Sequence, residues 1–179
     1  MSTIIRERSG VMPSQSLKPA DLATMSVPSD DSAHVTVELL SQPRYLSGAR
    51  DLVSSIAKRV GFDDKTCGQM ALAVDEALCN VIRHGYEQRS DGRIWIRLWP
   101  IPGDNGTPAG LTVVIDDEAK QVDPEKIKGR DLEDVKPGGL GVYIIKQVMD
   151  RTEYQRRQGD GMRLILSKLL GGEESQIRD

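Results

Sequence analysis

The sequence predicts an α+β domain: a two-layer sandwich with helices packed on one face of a mostly antiparallel mixed sheet. Three observations predict it. Two successive runs, 46–60 and 63–84, repeat their apolar residues at helical spacing. The segments 34–40, 93–100 and 111–116 and the closing stretch 152–170 carry strand patterning. The resulting order β, α, α, β, β, loop, α, β, β folds neighbouring strands back on one another and leaves the helices to one layer. With 179 residues the chain can bury one substantial core, and the length favours one domain.

Residues 1–32 are rich in Ser, Pro, Asp and Met, show neither period and contain Pro13, Pro19 and Pro28, so they are expected to form a flexible N-terminal extension. A folded domain over 33–170 and a short tail over 171–179 complete the expected organisation. "HVTVELL" (34–40) is alternating and β-branched, with Pro43 closing it. Leu46, Ala49, Leu52, Val53, Ile56, Ala57 and Val60 then mark a helix that Gly61 ends. Asp63 or Asp64 is expected to cap the next helix, which runs to about His84 with Gly85 as its stop. "RIWIRLWP" (93–100) sets Ile94, Ile96 and Leu98 against Arg93, Trp95, Arg97 and Trp99, with Pro100 as terminator. "GDNGTPAG" turns the chain into "LTVVID" (111–116). The polar stretch 117–138 is too long for an ordinary connector and reads as functional or disordered. "LGVYIIKQVMD" (140–150) follows as a helix, and "QGDG" is the turn of a final hairpin.

Composition narrows the function. A net charge of −3 without a long basic run gives no electrostatic reason to expect direct binding to nucleic acid or an anionic membrane. One Phe, two Trp and four Tyr are too few for recognition by base stacking. No stretch approaches the ~18 apolar residues of a membrane helix and the N-terminus lacks a signal-peptide core, so a cytoplasmic protein is expected. Cys67 and Cys79 fall twelve apart in one predicted helix and are expected to remain reduced thiols.

Three local signals bear on chemistry. In "DEALCNVIRH" (75–84), taking Glu76 as the origin at 100° per residue, Asn80 falls at about 40° and Arg83 at about −20°, opposite an apolar face. Such a stripe is either a solvated helix edge or the wall of a site; a carboxamide oxygen can ligate Mg²⁺, and a carboxylate can take a proton from an attacking hydroxyl. "KPGGLG" (136–141) brings glycines to the start of a helix, where backbone N–H groups can approach phosphate or simply make a tight turn. "VVIDDEAKQVDP" places Asp116 and Asp117 at a strand end, either as a charged terminus or as an acceptor for an exocyclic amine.

In this order the three motifs resemble the ATP-binding domain of GHKL (histidine-kinase-like) proteins, the Bergerat-type fold, over about residues 34–169. Within that superfamily the chain is most similar to the anti-sigma regulatory factors that are serine-protein kinases. "DEALCNVIRHGY" and "GGLGVYIIKQVMDRTEY" are the most specific portions. The resemblance implies ATP and Mg²⁺ as cofactors, Glu76 as the catalytic carboxylate and Asn80 as the Mg²⁺ ligand. It implies Asp117 as reader of the adenine amine, with Ala119 beside it, and Gly138, Gly139, Leu140 and Gly141 as the phosphate loop. Its implied partners are a sigma factor and an anti-anti-sigma protein with a STAS domain, with a homodimer possible through a free sheet edge. His84 matches a histidine common in the subgroup and is expected to serve as a cap or core contact. Where the family has Asp-x-Gly, this chain has Asp117-Glu118-Ala119, and a methyl there would cost about 1 kcal/mol in a loop that needs positive φ. That departure keeps a second reading open, a catalytically inactive binding module of the same fold.

Overall fold

The computed structural model describes residues 17–127 and 140–171. Its elements are α1 (Pro19–Leu22), β1 (Val35–Leu40), α2 (Leu46–Val60), α3 (Asp64–Asn80), β2 (Arg93–Pro102), β3 (Pro108–Asp117), α4 (Leu140–Val148), β4 (Arg151–Arg156) and β5 (Met162–Leu169). The five strands lie in the order β1-β2-β3-β5-β4. Every neighbouring pair is antiparallel, so the sheet expected to be mixed carries no parallel pairing among the described residues.

Alternation decides the layers, because successive strand residues point to opposite faces. Ile94, Ile96 and Leu98 of β2, Val113 and Ile115 of β3, and Leu164 and Leu166 of β5 form the inner face. They bury against Val53 and Ala57 of α2, Met70, Val74 and Leu78 of α3, and Ile145 of α4. Asp63 caps α3 by accepting the Thr66 N–H at 2.7 Å, and Gly61 ends α2 with φ of 119°. Cys67 and Cys79 are free thiols, both on α3. Among the described residues no helix is long and apolar enough to cross a membrane.

Two sequence expectations need correction. β2 does not stop at Pro100, which pairs with Leu111 inside a strand running to Pro102. The Leu98 carbonyl accepts the His34 N–H, so by alternation position 100 also faces the β1 side. β1 has ended by then, and the missing proline N–H removes no ladder bond.

The other correction concerns the N-terminal segment. Residues 17–33 are packed on the outer face of the sheet: Leu22 is 1% exposed against Ile101 and Leu169, while Val27 and Ala33 cover Trp99, Val114 and Ile165. Arg151 Nη1 donates to the Met25 carbonyl at 2.8 Å, and Trp99 Nε1 to Ser32 Oγ at 3.3 Å. The segment has no period of its own because it is ordered by contacts from isolated side chains with a face built elsewhere. The expected flexible extension therefore does not describe residues 17–32; residues 1–16 lie outside the described part, as do 172–179.

Candidate functional site

A cavity of about 440 Å³ opens on the inner face, bounded by the end of α3, the end of β3, the loop after it, the start of α4 and strands β4 and β5. Asn80, Asp117, Ala119 and Gly141 all line it, together with His84, Lys126, Val142, Tyr154, Met162 and Leu164. Its walls are mostly apolar with a few polar groups, the usual character of a small-molecule site.

After Asn80 the α3 helix continues as one wider π turn, Val81–Gly85, closed by the Tyr86 N–H on the Val81 carbonyl at 2.8 Å. Such turns occur often at functional sites. This one brings His84 and Gly85 to the cavity edge. His84 is exposed, which corrects the expected core contact. Arg83, the third member of the stripe, is exposed and does not line the cavity.

Asn80 carries the clearest mark of a binding group. Its Nδ2 is buried without a hydrogen-bond partner among the described residues. A buried unpaired polar group costs about 1–3 kcal/mol in the ligand-free protein. One turn earlier, Glu76 lies against the start of α4: a Cβ built on Gly141 would sit 2.5 Å from Glu76 Oε2. A side chain at 141 would require the Glu76 carboxylate to swing away from the start of α4. Leu140 is the first residue of α4 and 59% exposed. Gly138 and Gly139, the other expected loop residues, lie outside the described residues.

Asp117 stands on the inner face, 4% exposed. Its Oδ1 accepts two backbone N–H groups, from Ala119 at 2.8 Å and Met162 at 3.1 Å, and no described donor reaches Oδ2. Burial pushes the carboxyl above its ordinary range, against the pull of those two amides and of Arg157. The result is a held acceptor at the cavity wall whose second oxygen has no donor among the described residues. The surrounding loop is pinned: the Tyr86 hydroxyl accepts the Glu118 N–H at 2.8 Å and donates to the Arg93 carbonyl, and Arg157 Nη1 donates to the Asp117 carbonyl at 2.6 Å.

Ala119 needs no special backbone. Only Glu87 and Gln88 among described non-glycine residues have positive φ, so the strain expected of a methyl at this position is absent. Its side chain is 5% exposed and faces Gly85, where a built Cβ would lie 3.0 Å from the Ala119 Cβ. The methyl at 119 thus occupies space left by the missing methyl at 85.

Several contributors were not readable as site residues in the sequence. Tyr86 and Arg157 hold the Asp117 loop from distant elements, the bare backbone of Gly161 lies against the Asp117 carbonyl, and Met162 supplies a backbone N–H, which no side-chain motif signals. Tyr154, whose hydroxyl burial pushes up to about 12, lines the cavity as a neutral phenol.

This arrangement fits a wider pattern. The family model described as "Histidine kinase-like ATPase domain" matches residues 39–168, well over half of the chain. The chain belongs to this family. Among relatives, the "Serine-protein kinase RsbW" of Listeria monocytogenes serotype 4a (strain HCC23) is 28% identical over 152 residues, covering 81% of this chain and 91% of that protein. Its namesake in Bacillus subtilis (strain 168) is 26% identical over 153 residues, covering 80% and 90%. Among solved structures, the histidine kinase domain of the Erythrobacter litoralis EL346 blue-light activated histidine kinase aligns with a TM-score of 0.46 at 20% identity, covering 72% of this chain and 60% of that one.

Proposed function

We propose that the chain is a cytoplasmic, ATP-dependent serine-protein kinase that also acts as an anti-sigma factor, with an anti-anti-sigma protein of the STAS type as its phosphorylation substrate. The observation that carries this reading is that Asp117, whose second carboxylate oxygen has no donor among the described residues, lines one cavity together with Asn80 and Gly141, with the Glu76 carboxylate packed against Gly141. The similarity to proteins named serine-protein kinases supports it.

In this reading the adenine amine donates to Asp117, and the base lies among Val142, Tyr154, Met162 and Leu164. The phosphates extend toward the N-terminus of α4, where the helix dipole favours negative charge. Asn80 would hold Mg²⁺ as a neutral oxygen ligand; among the described residues no three His, Cys, Asp or Glu side chains converge, so the other ligands would be phosphate oxygens and water. When bound, Mg²⁺ supplies charge neutralisation on the phosphates. Glu76 accepts the proton of the partner's serine hydroxyl as its oxygen bonds to the γ-phosphorus; the bond from that phosphorus to the bridging oxygen breaks, and ADP leaves. The added charge then weakens the partner's interface with the kinase and frees the kinase to hold a sigma factor. The inactive-module reading rested on strain at Ala119, and the backbone there shows none.

The test is phosphoryl transfer from labelled ATP to the STAS partner by the Glu76→Gln protein. General-base removal is expected to lower the rate roughly 100-fold or more, with ATP affinity within about twofold of the parent. Transfer at the parent rate would overturn the assignment.

A further inference from the structure

We infer that Asp30 and Asp116 are positioning residues for the pocket aspartate Asp117, so that docking of the N-terminal strap (residues 17–33) and ligand binding in the pocket stabilise each other; this rests on the ATP-binding reading above. Asp116 and Asp117 are consecutive strand residues and so face opposite sides of the sheet. Asp117 faces the cavity, whereas Asp116 is fully buried on the strap side. It accepts Arg97 Nη1 at 2.6 Å and Arg163 Nε and Nη2 at 2.7 Å each, with Arg157 Nε at 4.0 Å.

The strap closes this cage. Asp30 accepts Arg163 Nη2 on both oxygens, at 3.0 and 2.9 Å, and lies 3.6 Å from Arg97 Nη1. Arg163 is thus shared between a carboxylate of the sheet and one of the strap. Three guanidinium groups meet two carboxylates, and removing Asp30 leaves the three with one.

The same arginines touch the backbone that fixes Asp117. Arg157 donates to the Asp117 carbonyl. Arg163 follows Met162, whose N–H holds Asp117 Oδ1. Releasing Arg163 from Asp30 loosens the first residues of β5, and with them the second amide that orients the carboxylate. A surface ion pair alone contributes little, but this one braces a fully buried carboxylate next to the binding residue.

Linkage requires the effect to be reciprocal: whatever the strap does to nucleotide affinity, nucleotide does to strap docking. A single shared arginine puts the coupling at the low end of the usual range, roughly fivefold. A partner that lifts the strap from the apolar outer face would thereby lower nucleotide occupancy.

The experiment uses the full chain. ATP affinity with Mg²⁺ is measured by titration calorimetry for the parent, Asp30→Asn, which keeps a surface position polar, and Leu22→Asp, which releases the strap at its apolar end. Amide exchange is followed over 17–33 with and without ATP. The expected result is a Kd roughly fivefold weaker in both variants, and slower exchange of the parent's strap amides when ATP is bound. Parent-like affinity in Asp30→Asn, or strap exchange in the parent indifferent to saturating ATP, overturns the coupling. If Leu22→Asp fails to fold, Asp30→Asn and the exchange measurement decide. Absence of ATP binding by the parent would instead remove the functional reading itself, and the coupling with it.

Discussion

Gly161 and Asp117 meet so closely that a Cβ at position 161 would overlap the Asp117 carbonyl oxygen, and Gly161 also holds φ of +91°. The turn between β4 and β5 therefore butts against the binding residue with bare backbone. Gly161→Ala introduces both a clash and an unfavourable φ, and is expected to destabilise the fold by about 2–4 kcal/mol. The measurement is the shift of the denaturant midpoint at unchanged slope; a shift under about 1 kcal/mol would show that the turn relaxes freely.

Asp117 trades stability for binding. Burial raises its folded pKa above the ordinary value, so the folded state keeps the proton through an interval in which the unfolded state has lost it. Stability accordingly falls as pH rises through that interval, and the loss persists at neutral pH. Asp117→Asn retains an oxygen for the Ala119 and Met162 amides without the buried charge. Its melting temperature is expected to equal or exceed the parent's at neutral pH, with the advantage vanishing below the unfolded pKa of about 3.9. Its ATP affinity is expected to fall roughly tenfold or more, because the amide now presents N–H toward the adenine amine. Thermal melts across pH and calorimetry check the two halves separately.

Gly85 and Ala119 are expected to behave as a complementary pair. Gly85→Ala alone places two methyl carbons 3.0 Å apart and costs about 1–3 kcal/mol by overpacking. Adding Ala119→Gly recovers most of that loss, and Ala119→Gly alone brings no gain in nucleotide affinity. A double-mutant cycle on unfolding free energies gives the coupling directly; additivity would show that the two sites do not compete for the same space.

Asn80→Ala separates binding from folding. The substitution removes a buried amide nitrogen that has no partner among the described residues, which offsets much of the small cavity it leaves. Stability of the ligand-free protein is expected to stay within about 1 kcal/mol of the parent, while affinity for ATP with Mg²⁺ drops roughly tenfold or more. A large loss of stability without ligand would mark Asn80 as a structural residue instead.

Both helical runs and the inner faces of the strands were legible because each is a local period. Val53 and Ala57, Val74 and Leu78, and Ile94, Ile96 and Leu98 announce their burial by spacing alone. Pro100 misled because a proline ends a strand only where its missing N–H faces a neighbour, and which side it faces depends on where β1 stops. Residues 17–33 misled for a related reason: Leu22 is buried and Val27 partly buried by a surface that is assembled from strands about 70 to 150 positions later.

The sequence by itself determined that Glu76 and Asn80 share one edge of a helix, that Asp117 ends a strand, and that a helix starts at Leu140 with Gly141 in its first turn. These follow from helical and strand geometry within a few residues. Only the tertiary structure decided that Gly141 abuts Glu76, that Met162 holds Asp117 from 45 residues away, that Ala119 fills the space beside Gly85, and that Asp116 turns its charge to a strap on the opposite face. Periodicity encodes which face of an element is buried; it does not encode which distant backbone will come to lie against that face, and the binding geometry is made of those meetings.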